Sequence, residues 1–362
     1  MKHFLSIILS LAGAVSCAVP YQPEDTAPDL FPGADSLLVT VVFSASGAEK
    51  TKITGVTDND ESAIGRWAVF AFNDRTGNFR WDSSESGTPL ALQLVAGQHY
   101  TCYAIVNYPT GGVGGFDPST VRAPGDLTGR AAYLGDNRKD ALIMFGDAFL
   151  TPSEGETSPV TINVKRLVSR IDLRGLRVDF SLKPHLASKT FTLRGVFVTN
   201  AYRTTSYGAD YTFPGLSETR SAWYNTGGWH RGEPADAGMD ALLGDRGINA
   251  VVSAGNPYTG SHSFYAFPNP STEAQDIRTM GAWTRRCTRL VIEASIGDDV
   301  VYYAINVPSM GRNRIYAASN VVIHGRGSND PETIDIDPDI IDVDFEPVID
   351  DSWDGAGSII LD

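Results

Sequence analysis

Val300–Val307 reads VVYYAINV, and its alternation decides the fold class. Val301, Tyr303, Ile305 and Val307 fall on one side of an extended chain. Successive strand side chains point to opposite faces, so an apolar period of two marks a strand packed on a core. Similar stretches flank it at Leu290–Ala294 and Ile315–Ile323. Earlier in the chain they recur at Trp67–Phe72, Leu90–Val95, Tyr100–Asn107, Ala141–Phe145, Val160–Val164 and Phe191–Val198. Short helices are expected only near Asp58–Ile64 and Asp236–Leu243. Short, evenly spaced strands without long helical patterns predict an all-β chain, two β-sandwich domains in series.

The segments between the strands give the organisation. The basic stretch Lys165–Arg177, KRLVSRIDLRGLR, follows an acidic, proline-bearing loop and marks the domain boundary. An N-terminal sandwich is expected over 37–166 and a C-terminal one over 167–329. Gly111–Pro118 reads as a glycine-rich loop, and Tyr202–Gly260, rich in turn residues, as a long insertion. Leu37–Phe43 is LLVTVVF, with Leu37, Val39, Val41 and Phe43 on one face and Leu38, Thr40 and Val42 on the other. Both faces are largely apolar, which predicts cover on both sides. Ser44–Ser62 then turns polar and carries Lys50 and Lys52, a natural loop and protease target.

Composition narrows the function. The chain has 362 residues, 42% of them hydrophobic, enough for a sizeable core without disulfides. Lys and Arg number 29 against 43 Asp and Glu, a net charge of −14. Such a surface repels phosphate backbones, so nucleic acid is not an expected partner. Met1–Ser16, MKHFLSIILSLAGAVS, has a basic start and a short apolar run, the form of an export signal. Cys17 follows Ala14, Val15 and Ser16, which resembles a bacterial lipobox and makes Cys17 the expected lipidation site; an ordinary secretory signal cut near Ala18 is the alternative. Residues 17–36 read as a tether. Cys102 and Cys287 lie far apart in different expected domains and read as buried free thiols.

Catalytic signatures are missing. The chain contains no G-x-S-x-G, no P-loop, no H-E-x-x-H and no C-x-x-C. Its six histidines are scattered, and none pairs at i, i+4. Asp335, Asp337 and Asp339 suggest a calcium loop, but the position that needs glycine holds Ile340, and Pro338 intrudes. No enzyme activity, cofactor or metal is expected.

Residues 330–362 are the most unusual stretch. Twelve acidic residues and no basic one occur there. Such a block ordinarily means a solvated tail. Here Ile341, Val343, Phe345, Pro347 and Ile349 alternate with Asp342, Asp344, Glu346 and Asp350, Val348 being the exception, the pattern of a strand that adds to a sheet. It either closes its own domain or completes a neighbouring molecule.

Several stretches together resemble the Bacteroidales-type fimbrillins, the major subunits of surface fimbriae. They are ITGVTDNDESAIGRWAVFAFNDRTGNFRW (Ile53–Trp81), HYTCYAIVN (His99–Asn107), VKRLVSRIDL (Val164–Leu173), FYAFPNPS (Phe264–Ser271) and Tyr302–Glu332, which includes Arg312-Asn313-Arg314-Ile315-Tyr316. The resemblance implies two tandem transthyretin-like β-sandwich domains with a C-terminal strand-like tail. It implies export as a lipoprotein to the cell outer membrane, then cleavage after the first strand by a trypsin-like protease. It further implies polymerisation into an extracellular fimbrium by donor-strand exchange, with other fimbrial subunits as partners. Leu37, Val39, Val41 and Phe43 would belong to the removed strand, Lys50 or Lys52 would precede the cut, and Ile341, Val343, Phe345 and Ile349 would form the donor strand. The family's best-known processing protease is Arg-specific, whereas this loop offers lysine. Two alternatives go with it: an uncut outer-membrane lipoprotein that anchors a fimbria, or a module that binds glycans or host proteins through the Trp223/Trp229 region.

Overall fold

The structure is a computed structural model. It describes residues 38–45, 61, 63–86, 90–155, 160, 162–208, 223–224, 242–272, 287–307, 309–331, 341–348 and 358–360. In chain order the strands of the first half are β1 (Leu38–Ala45), β2 (Trp67–Asn73), β3 (Phe79–Ser84), β4 (Leu90–Val95), β5 (Tyr100–Val106), β6 (Ala131–Tyr133), β7 (Met144–Leu150), β8 (Ile162–Asn163) and β9 (Lys165–Arg166). The second half holds β10 (Ser169–Val178), β11 (Phe191–Thr199), β12 (Ala201–Tyr202), β13 (Thr204–Ser206), β14 (Trp223–Tyr224), β15 (Gly244–Val252), β16 (Tyr258–Ala266), β17 (Thr288–Ile296), β18 (Asp299–Val307) and β19 (Ile315–Ile323). Two strands follow in the tail, β20 (Ile341–Val348) and β21 (Ser358–Ile360). The fold is an all-β sandwich, as the alternation predicts.

The strands pair into four large sheets. The first half contributes β3-β2-β5-β7-β9 and, with the tail's last strand, β4-β1-β21-β8; the second half forms β16-β10-β19-β20 and β15-β11-β17-β18. β9 pairs with β7 while β10 pairs with β16 and β19, so the chain changes sheets at Leu167–Val168. Two-residue and three-residue pairings, β12 with β14 and β13 with β6, add small sheets.

β2 shows why the halves cohere. All seven of its residues are buried. Trp67, Val69 and Ala71 face a cluster with Val41, Leu90, Leu92, Leu94, Cys102 and Ile162, the interior between the two sheets of the first half. Ala68, Phe70 and Phe72 face a larger cluster that continues through Phe116, Phe145 and Ile171 to Val301 and Ile323. One apolar interior therefore runs from the first half into the second, and residues Leu38–Asp362 form one compact unit.

Several expectations are corrected. The first strand has one covered face, not two. Val41 is buried, whereas Leu38 and Val42 on the opposite face are 55% and 37% exposed. Residues 202–260 are not all insertion, because β15 pairs with β11 from Phe191↔Val252 to Phe197↔Gly244. β15 escapes a hydrophobicity reading because it is an edge strand of mostly polar and small residues, GDRGINAVV. The strand expected at Ala141–Phe145 begins three residues later and runs to Leu150. Near Asp58–Ile64 the described residues are turn and irregular, not helical, while Leu242 and Leu243 are helical. Among the described residues, no helix is long and apolar enough to cross a membrane.

Candidate functional site

The first strand is held along one edge and one face. β1 pairs antiparallel with β4 from Leu38↔Val95 to Phe43↔Leu90. Among the described residues, no strand pairs with the other edge of Leu38–Phe43; β21 reaches that edge only at Ser44↔Ile360 and Ala45↔Ile359. Val41 joins the smaller apolar cluster with Leu92 and Leu94 of the adjacent β4 and with Trp67, Val69 and Ile162, all buried. Burial of one valine side chain contributes about 1.5–3 kcal/mol. Removal of β1 would open the edge of β4 and the apolar floor under it.

Both regular segments of the tail pair within their own chain. β20 lies antiparallel to β19, with Ile315↔Val348, Tyr316↔Pro347, Ala317↔Glu346, Ala318↔Phe345 and Ser319↔Asp344, then a register shift, then Val322↔Asp342 and Ile323↔Ile341. Ile341 is half-buried and packs on the larger core. β20 is the edge of its sheet, which accommodates Pro347 and its missing N–H. The second segment, β21, crosses to the first half and sits between β1 and β8, pairing with β8 at Ser358↔Asn163 and Ile359↔Ile162.

The structure thus brings Val39, Val41 and Phe43 into β1, and Ile341, Val343 and Phe345 into β20. Cys17, Leu37, Lys50, Lys52, Ile349 and Trp229 lie outside the described residues, as do Asp335, Asp337 and Asp339. Trp223 stands in β14, paired with Tyr202.

A cluster that sequence reasoning missed anchors the chain just after the Lys50/Lys52 stretch. Glu61 is buried, and its carboxylate accepts from Arg170 Nη1 at 2.9 Å and 3.1 Å and from the Tyr265 hydroxyl. Its main-chain oxygen accepts from Arg166 Nε at 3.0 Å. Asp172, fully buried, pairs with Arg170 at 3.1 Å and Arg174 at 2.9 Å. Burial disfavours the Arg170 guanidinium, but the charges of Asp172 and Glu61 outweigh it and hold its pKa above the ordinary value. Burial, then the charge of Glu61, pushes the Tyr265 hydroxyl up, so it stays a donor. A second clasp lies two residues on. Asn107, in the left-handed region at φ 55°, donates to Ala63 O at 2.8 Å and Leu142 O at 3.0 Å, and its Oδ1 accepts from Gly65 N at 3.0 Å. One signal for the ion cluster was visible. Arg170, Asp172 and Arg174 alternate with Ile171 and Leu173, so the three charges share one strand face.

His262 illustrates what the polar groups do here. Its Nδ1 meets Asp245 Oδ2 at 2.9 Å and its Nε2 meets the Tyr258 hydroxyl at 2.8 Å, while its ring stacks on Tyr258 and Phe264. Both ring nitrogens are occupied, Nδ1 in tying β16 to β15 and Nε2 within β16 itself. Among the described residues, no three His, Cys, Asp or Glu side chains stand together as metal ligands.

No family model matches this chain, and no curated protein matches it in sequence. Solved structures do resemble it. A candidate cell adhesion protein of Bacteroides eggerthii superposes with a TM-score of 0.60 at 17% identity, covering 86% of this chain and 95% of the other. Two candidate cell adhesion proteins of Parabacteroides distasonis give TM-scores of 0.54 and 0.51, each at 15% identity and 86% of this chain, covering 100% and 97% of theirs. At these identities the likeness is one of fold. The chain shares the all-β sandwich architecture of these proteins over nearly their whole length.

Proposed function

We propose that the chain is a structural, non-enzymatic subunit of a cell-surface fimbria that mediates adhesion. It is exported as a lipoprotein through Cys17 and carried to the outer membrane. A trypsin-like protease cuts after Lys50 or Lys52, β1 leaves, and a strand from the tail of another subunit replaces it. The tail, 330–362, carries the apolar positions Ile341, Val343, Phe345 and Ile349 for this exchange, and the two sandwich domains divide near 166. The observation that carries the reading is the sheet β4-β1-β21-β8, in which the first strand, paired over Leu38–Phe43 along one edge, lies beside a strand from the tail. A sheet that accepts its own tail has the edge geometry to accept another's. The double anchor at Glu61 and Asn107 supports the same reading, since it would hold the new N-terminal segment in place after a cut upstream. The names of the structural neighbours support the adhesive role.

N-terminal sequencing of protein extracted from the cell surface tests this. A start at Thr51 or Ile53 is the expected result; a blocked start at Cys17 would point to the uncut anchor or lipoprotein. That second reading has one observation in its favour, the pairing of β20 with its own β19.

A further inference from the structure

The two strands of the tail are held very differently. β20 runs alongside nearly the whole of β19, from Ile315↔Val348 to Ile323↔Ile341, and Ile341 packs on the core. If β20 left, β19 would become an edge, with Ile315, Ala318 and Ile323 of the core on it. β21 is three residues long and meets β1 and β8 at two residue pairs each. It sits in the other half of the molecule, joined to β20 by nine residues. A short strand held at few residue pairs is the arrangement that exchanges between copies at low cost, because the contacts made within one molecule are remade in the next.

We infer that of the two tail strands only β21 exchanges between copies, that its seat in a second copy is the slot beside β8, and that before assembly it caps that slot in its own chain. β20 stays with β19 throughout. This rests on the strand-exchange reading above and narrows it: the apolar residues that enter the neighbour are Ile359 and Ile360, while Ile341, Val343 and Phe345 close their own sheet. A span of ten peptide units reaches at most about 35 Å. The slot of the neighbouring copy must lie within that distance of the end of β20. Because the donor edge and the acceptor slot are different surfaces, exchange is heterologous and grows an open chain rather than closing a dimer.

The test uses the processed full-length chain and three variants. Truncation after Val348 should leave the thermal transition nearly unmoved and abolish SDS-resistant multimers. Truncation after Ile340 should abolish multimers and also lower the melting temperature. Asn163→Cys with Ser358→Cys, oxidised in the monomer, should give a crosslink within one chain, since paired Cα atoms of adjacent strands lie within disulfide reach. Oxidised after assembly, the same variant should give covalent ladders between chains. Cys102 and Cys287 are buried and do not compete. If multimers survive truncation after Val348 but not after Ile340, β20 is the exchanging strand; the narrowed assignment is then wrong while strand exchange stands. If the intact chain forms no multimers at all, both fall together.

Discussion

At the scale of single residues, the decisive feature is the charge buried between the halves. Arg170 stands between two carboxylates, Glu61 and Asp172, each nearly or wholly out of water. Removing the shared cation takes away a charge partner from two buried carboxylates at once, with Asp172 keeping Arg174 and Glu61 keeping the Tyr265 hydroxyl. Arg170→Met is therefore expected to destabilise the fold by about 3–5 kcal/mol, read from urea denaturation midpoints. Cys102 gives a pH-dependent counterpart. Burial, with the charge of Asp74 second, pushes its thiol up to about 12. In the unfolded chain a cysteine loses its proton from about pH 8.5. Between these values the folded state binds more protons than the unfolded one, so stability falls as pH rises. The melting temperature should drop from pH 9 towards pH 11, less so in Cys102→Val, and alkylating reagents should reach the thiol only on unfolding. The burial of both described cysteines was legible from their composition and spacing. The ion cluster was half legible: the alternation of Arg170, Asp172 and Arg174 was in plain view, but their partner Glu61 is about a hundred residues away and only folding brings it there.

At the scale of elements, several strands with apolar alternation were read almost to the residue, whereas β10 alternates too and was read as a basic domain junction. β4 and β19 coincide with their expected limits, and β2, β11 and β18 differ by a residue at one end. Two other failures share a cause. β15 is a polar edge strand, and β7 begins at Met144 where the apolar run ends, then continues outward through Asp147 and the exposed Phe149. Their pairing is dictated by neighbours, and an amphipathic period is absent. β7 also carries the tightest backbone approach. A Cβ on Gly146 would overlap the carbonyl oxygen of Asn163 in β8. Neither side can yield without moving main chain, so Gly146→Ala should cost about 1–3 kcal/mol by the same denaturation measurement. It should also weaken the slot where β21 docks, since β8 is one wall of it. For the tail, the period-two pattern foretold a strand and could not say whose sheet it joins. The alternation is the same in either case, and only the register with β19 distinguishes them.

At the scale of the whole molecule, the net charge of −14 takes on a shape. Twelve of the acidic residues lie in 330–362, interleaved with apolar positions that pair into sheets. Charge on the outward face keeps such a segment soluble while its apolar face is unengaged. The molecule then has three separable parts: a first strand gripped on one side, a continuous apolar interior, and a tail whose last strand returns to the first strand's sheet. That closure within one chain is what an assembling subunit would have to trade for closure between chains. The size of the processed protein, taken from the cell surface and run unboiled in SDS, reads this out directly. A ladder at integral multiples of the monomer, lost on deleting Asp339–Asp362, is the predicted result. Monomer alone from processed protein with an intact tail would contradict it.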